Sequence, residues 1–200
     1  AYTITSLTYE KEKSIVADGI GPVAMTFNND GTKMFVIENS GTAFETSPTI
    51  AAGNINEYAL SGAYDVATAT FTRRLSIVSE DANAVDLKFN KVARGAVNAG
   101  ELLFVLGDDG NDINEYLLTT AYDLSTASFV DAFSVAAEDD KVRALAFDDD
   151  GDKVYTVGGT GNEINQYPLV TGYDISTTQA VTSTATFRTS NIEPRGFSFS

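Results

Sequence analysis

Few side chains in this 200-residue chain are equipped for chemistry, and most of those are carboxylates. It has no histidine and no cysteine. That removes the usual general base at neutral pH, thiolate nucleophiles, disulfides and most transition-metal sites. What remains is carboxylate chemistry or hard-cation binding through oxygen. The densest acidic cluster is Asp148-Asp149-Asp150-Gly151-Asp152. Within it, Asp148, Asp150 and Asp152 are candidate Ca²⁺ ligands, and no other cofactor is expected. The spacing is not an EF-hand, since no Glu closes a twelve-residue loop. A hairpin turn explains the cluster more simply, because Asn28-Asn29-Asp30-Gly31-Thr32 makes the equivalent turn with one acid.

Four other sets are candidates. Gly107-Asp108-Asp109-Gly110-Asn111-Asp112 is a second acidic turn, whose counterpart Gly158 to Glu163 keeps glycines and loses acids. The pairs Asn56-Glu57, Asn114-Glu115 and Asn165-Gln166 form a polar row that could contact sugars; strand alternation instead turns them to solvent or neighbouring turns, with Ile and Tyr toward the core. Tyr64, Tyr122 and Tyr173 each precede an Asp, as stacking platforms or as structural corners. Arg143 and Arg195 start inner strands, facing an axial anion or a nearby acid. No catalytic residue is assigned.

The elements that position these residues come from an internal repeat. Asn54-Ile55-Asn56-Glu57-Tyr58-Ala59-Leu60 recurs as Asp112 to Leu118 and as Glu163 to Leu169. A second tyrosine follows each, in Tyr64-Asp65-Val66, Tyr122-Asp123-Leu124 and Tyr173-Asp174-Ile175. Phe27, Phe89, Phe147 and Phe199 align ahead of the units, and Tyr58, Tyr116 and Tyr167 align inside them. Each unit reads as four short strands rich in β-branched and aromatic residues, separated by Gly/Asp/Asn turns. Four antiparallel strands repeated every 50 to 60 residues predict an all-β chain, a β-propeller of four-stranded antiparallel blades. Approximate repeats are 20–82, 83–140 and 141–192, with partial units 1–19 and 193–200 in a single domain, or a segment of one. That is about three complete blades plus a split one. The split blade lacks its middle strands, so the chain is expected to be a segment of a longer protein or to be completed by neighbouring copies. The phenylalanine and tyrosine sets are expected in equivalent buried places between blades. Unit 2 replaces the Asn-Asp-Gly turn with Lys91 to Gly100, and unit 1 carries an extra loop, Gly41 to Gly53, expected to protrude.

The hairpins Asp30-Gly31-Thr32-Lys33-Met34-Phe35-Val36 and Asp150-Gly151-Asp152-Lys153-Val154-Tyr155-Thr156 resemble the Asp-Gly-x-x-x-Tyr-Val hairpin of YVTN/NHL-like propeller repeats. The Tyr-Asp-[aliphatic]-[Ser/Ala]-Thr-Ala signature is similar to repeat proteins of phage virions and extracellular surfaces. The resemblance covers nearly the whole chain. It implies a propeller, and a virion or extracellular location.

Charge narrows the partners. There are 28 acidic and 13 basic residues, a net −15, which disfavours nucleic acid and anionic membranes. No apolar run is long enough to span a membrane, and no signal peptide is visible. The expected function is a non-catalytic structural or adhesive module whose partners are protein subunits of the same or a larger assembly, with surface glycans as a further candidate. The alternatives are a propeller enzyme of the lactonase or glycan-hydrolase kind, using Ca²⁺ or carboxylates, and a protein-interaction scaffold.

Overall fold

The computed structural model describes residues 8–19, 21–39, 53–161, 163–179 and 183–186. Among these residues, twelve strands form three four-stranded antiparallel sheets, each built from strands consecutive in sequence. The first sheet is β1 (Pro22–Phe27), β2 (Lys33–Glu38), β3 (Asn54–Leu60) and β4 (Ala69–Ser76). The second is β5 (Ala84–Phe89), β6 (Leu102–Gly107), β7 (Asp112–Leu118) and β8 (Ala127–Ser134). The third is β9 (Val142–Phe147), β10 (Lys153–Gly158), β11 (Glu163–Pro168) and β12 (Ser183–Thr186). The only helical elements among the described residues are single 3-10 turns at Val66–Thr68, Leu124–Thr126 and Ile175–Thr177. The fold is therefore a β-propeller arrangement, with β1 beside β5 and β5 beside β9 on the inner side. Among the described residues no helix is long and apolar enough to cross a membrane.

The sheets stack face to face, and the repeated aromatics fill the seams. Phe35 lies 4.7 Å from Phe89, which lies 5.0 Å from Tyr122. The next seam repeats this with Phe104, Phe147 and Tyr173, at 4.6 and 5.2 Å. Phe89, Phe147, Tyr58, Tyr116 and Tyr167 are buried as expected. Phe27 is only half-buried, because no described blade precedes the first sheet to supply a partner like Phe35. Phe199, Arg195 and the Gly41–Gly53 loop, apart from Gly53 itself, lie outside the described residues.

Register irregularities repeat with the units. A bulge leaves Val23 and Val85 unpaired in β1 and β5, and the same break occurs at Arg143 of β9. Another interrupts β4 after Phe71 and β8 after Phe129. Bulges re-aim side chains, and the second set decides which residue of the outer strand faces the third.

Each corner between third and fourth strands is built from its Tyr-Asp-x-x-Thr signature. Tyr64, Tyr122 and Tyr173 have φ of 59, 56 and 59°, a left-handed conformation that costs a bulky residue energy. Their rings lie over Gly31, Gly100 and Gly151, where a Cβ would strike the ring. Those glycines also have positive φ, so no other residue fits comfortably. The following Asp65, Asp123 and Asp174 cap the 3-10 turns by accepting from Ala67, Ser125 and Ser176 amides. The tyrosines are structural corners.

Candidate functional site

The stacking decides between the two settings expected for the polar row, solvent and neighbouring turns. Asn56, Glu57, Asn114, Glu115 and Asn165 do not face solvent; all are buried. Alternation predicts one wet face, but a propeller blade is covered on both faces, as in parallel sheets. These polar groups must therefore find partners.

Position 57 of the first unit shows how. Glu57 is 1% exposed and accepts from the Leu124 amide across the seam at 3.0 Å. Two cations surround it: Lys33 Nζ at 2.8 Å and Arg73 Nε at 3.4 Å. Arg73 is its cross-strand partner in β4. The carboxylate thus fixes the start of the next unit's 3-10 turn while its charge is balanced.

The second unit keeps the carboxylate and loses both cations. Glu115 is 7% exposed and accepts from the Ile175 amide at 3.3 Å. Leu102 stands where Lys33 stands, and the cross-strand partner is Asp131. Burial pushes the Glu115 carboxyl up to about 7; the Ile175 amide pulls it down, while Asp174 and Asp131 push it further up. In the third unit the position is Gln166, neutral by sequence, with Ser183 as its partner.

Glu115 also lines a cleft of about 520 Å³ between the second and third blades. Its walls include Leu102, Leu117, Val130 and Val170, and its rim carries Arg94, Asp152 and Asp174. Arg94 belongs to the Lys91–Gly100 insertion, a departure from the repeat. Its guanidinium is pinned to the third blade, with Nε donating to the Asp150 carbonyl at 2.8 Å and Nη2 lying 3.3 Å from Asp152. A largely apolar concavity with a few convergent polar groups and one perturbed acid is the pattern of a small-molecule site.

The three aspartates offered for Ca²⁺ are not brought together. Asp148 accepts from the Lys153 amide of its own turn and pairs with Lys153. The Asp150 side chain is mostly exposed, and Asp152 turns to Arg94 in the cleft. No three acidic side chains converge on a cation position among the described residues. Asp108 pairs with Arg143, which is thereby removed from the axis as a free cation. Asp86 accepts from the Leu145 amide and from Lys88, stapling the second inner strand to the third. Sequence reasoning missed Glu115 as an individual and missed Arg94. Comparing the three copies column by column would have found the change from Lys33 and Arg73 to Leu102 and Asp131.

The chain is similar in fold to solved propellers. A periplasmic gluconolactonase of Pseudomonas aeruginosa matches 83% of this chain and 40% of its own, with 17% identity and a TM-score of 0.51. A putative 6-phosphogluconolactonase of Bacteroides uniformis matches 88% and 46%, with 10% identity and 0.53. The Swd1 β-propeller domain of Myceliophteria thermophila also matches 88% and 46%, with 11% identity and 0.52. This chain spans less than half the length of each. No protein-family model and no curated protein matches the sequence. These neighbours carry the propeller architecture; they do not carry the YVTN/NHL-like or phage repeat family, nor a virion, extracellular or adhesive role. The expectation that the chain is not an enzyme is corrected: two of the structures similar to it bear lactonase names, so the fold does not argue against catalysis.

Proposed function

We propose that this chain belongs to a propeller enzyme that opens the ring ester of a small polar lactone in the Glu115 cleft. The observation that carries the reading is a buried carboxyl poised near neutrality in a walled cleft beside a fixed arginine. A general base works best when its pKa lies near the working pH. In the proposed step, ionised Glu115 takes a proton from water as its oxygen attacks the lactone carbonyl carbon. The carbonyl becomes an oxyanion beside the Arg94 guanidinium. Collapse breaks the ring C–O bond, and Glu115 returns the proton to the leaving alkoxide. The product is a hydroxy acid, and Glu115 ends as it began.

The test is acid release from a panel of δ- and γ-lactones. Turnover by the protein that falls by about 10²–10⁴-fold in Glu115→Gln supports the reading. Absence of turnover, or a Glu115→Gln variant as active as the parent, overturns it.

A second reading, a protein-interaction module, is favoured by the open face of the first blade. Val23, Met25 and Tyr64 are 51, 48 and 55% exposed, whereas Leu87 and Leu145, the equivalents of Met25, are fully buried between blades. The occupant that fits is another four-stranded sheet with an aromatic at the Phe35 and Phe104 position. Such a partner should bury Tyr64, read as a change in tyrosine fluorescence that Met25→Asp abolishes; a face inert to a blade-bearing partner contradicts it.

A further inference from the structure

The position shared by Glu57, Glu115 and Gln166 has one backbone task in the first two units: accepting an amide hydrogen from the next unit's 3-10 turn. Only its electrostatic setting differs. In the first unit, Lys33 on the neighbouring β2 and Arg73 on the opposite β4 embrace the carboxylate. In the second unit, the matching places on β6 and β8 hold Leu102 and Asp131. The pleat and the bulge after Phe71 and Phe129 are the same in both, so the register brings Asp131 to Glu115 as it brings Arg73 to Glu57. Among the described residues Glu115 has no cationic partner in an ion pair.

We infer that Leu102 and Asp131 are positioning residues that convert a structural carboxylate of the repeat into a free, reactive one facing the cleft. The inference rests on the cleft being the site proposed above. Leu102 withholds a cation and supplies apolar wall, which is why it lines the cavity. Asp131 places a like charge across the strand. The other charged groups around Glu115 are Asp174, at the cap of the 3-10 turn, and Arg94 and Asp152 on the opposite rim. Arg94 is already held by Asp152 and the Asp150 carbonyl, so it does not take the role of Arg73. With an aliphatic and an acidic neighbour, Glu115 has no opposite charge beside it to favour its ionised form.

The experiment rebuilds the first unit's setting in the second with Leu102→Lys/Asp131→Arg in the full chain. The ¹³C carboxyl resonance of Glu115 is followed against pH in both proteins, with Glu115→Gln identifying the signal. The double variant should titrate roughly 1–3 pH units lower than the parent, the effect of an opposite charge placed within a few ångström. An unmoved midpoint in a folded double variant overturns the inference. If the double variant does not fold, Asp131→Asn is read instead: it keeps size and removes only the charge. Its midpoint should fall, and no fall overturns the inference. The resonance moves or stays whether or not lactones are substrates, so loss of the catalytic reading and loss of this one are separately visible. If both stand, the pH at which lactone turnover switches on moves down with the resonance.

Discussion

The carboxylate of Glu38 stands where a Cβ on Gly19 would have to lie. In the next two units the roles are exchanged: Asp81 fills the space over Gly107, and Asp139 fills that over Gly158. Gly19, Asp81 and Asp139 are equivalent, since each amide donates back to Ile15, Ile77 or Val135. Each junction therefore holds one buried acid and one glycine, on either side of the same gap. Asp81 uses its place to accept from the amides of Asn83, Asp109 and Gly110, and Asp139 from Lys141, Thr160 and Gly161.

Gly107→Ala should accordingly cost about 1–3 kcal/mol, the range for a methyl forced into a packed site, by displacing Asp81 from three amides. Gly107→Glu with Asp81→Gly copies the first unit and should be more stable than the sum of the single changes. A double-mutant cycle on chemical unfolding reads the coupling; strict additivity contradicts the exchange.

Truncating a seam aromatic should be among the most damaging changes. Phe147→Ala removes contacts to Phe104 and Tyr173 at once and should cost about 3–5 kcal/mol. Phe27→Ala should cost less, since Phe27 is half-buried and, among the aromatics of the described residues, touches Tyr64 alone. Equal losses in thermal unfolding would show that the seams do not carry stability unequally.

Stability should also depend on pH through Glu115. Its carboxyl holds a proton to about 7 when folded, against an ordinary value of 4.5. Between those values the native state binds more protons than the unfolded chain, so stability falls as pH rises through that window. The loss attributable to Glu115 is roughly 3–3.5 kcal/mol. Glu115→Gln, which mimics the third unit, should match the parent near pH 4.5 and exceed it at pH 8. A parent-minus-variant difference that does not change with pH contradicts this.

Much of the fold was legible because repetition makes its own alignment. The columns of Phe27, Phe89 and Phe147 and of Tyr58, Tyr116 and Tyr167 show both the sheets and their buried side. The burial of Asn56 and Glu57 was not legible from alternation, which describes a sheet with one wet face. The Tyr-Asp-x-x-Thr signature was visible as a motif, yet its positive φ at tyrosine depends on Gly31, Gly100 and Gly151, remote in sequence. The cleft was hidden for a similar reason. It needs the partner of Glu115 across β7 and β8, which the bulge shifts by one residue, and the reach of Arg94 from an insertion to the neighbouring blade.

The proposed role of Glu115 is that of a base in the cleft between the second and third blades. The most direct measurement is the pH dependence of kcat/KM for lactone opening by the parent protein and by Glu115→Gln. The expected result is a rise through an apparent pKa of about 7 in the parent, absent from the variant's residual rate. A parent with no turnover, a midpoint in the ordinary carboxylate range, or a variant that keeps the same profile would contradict it.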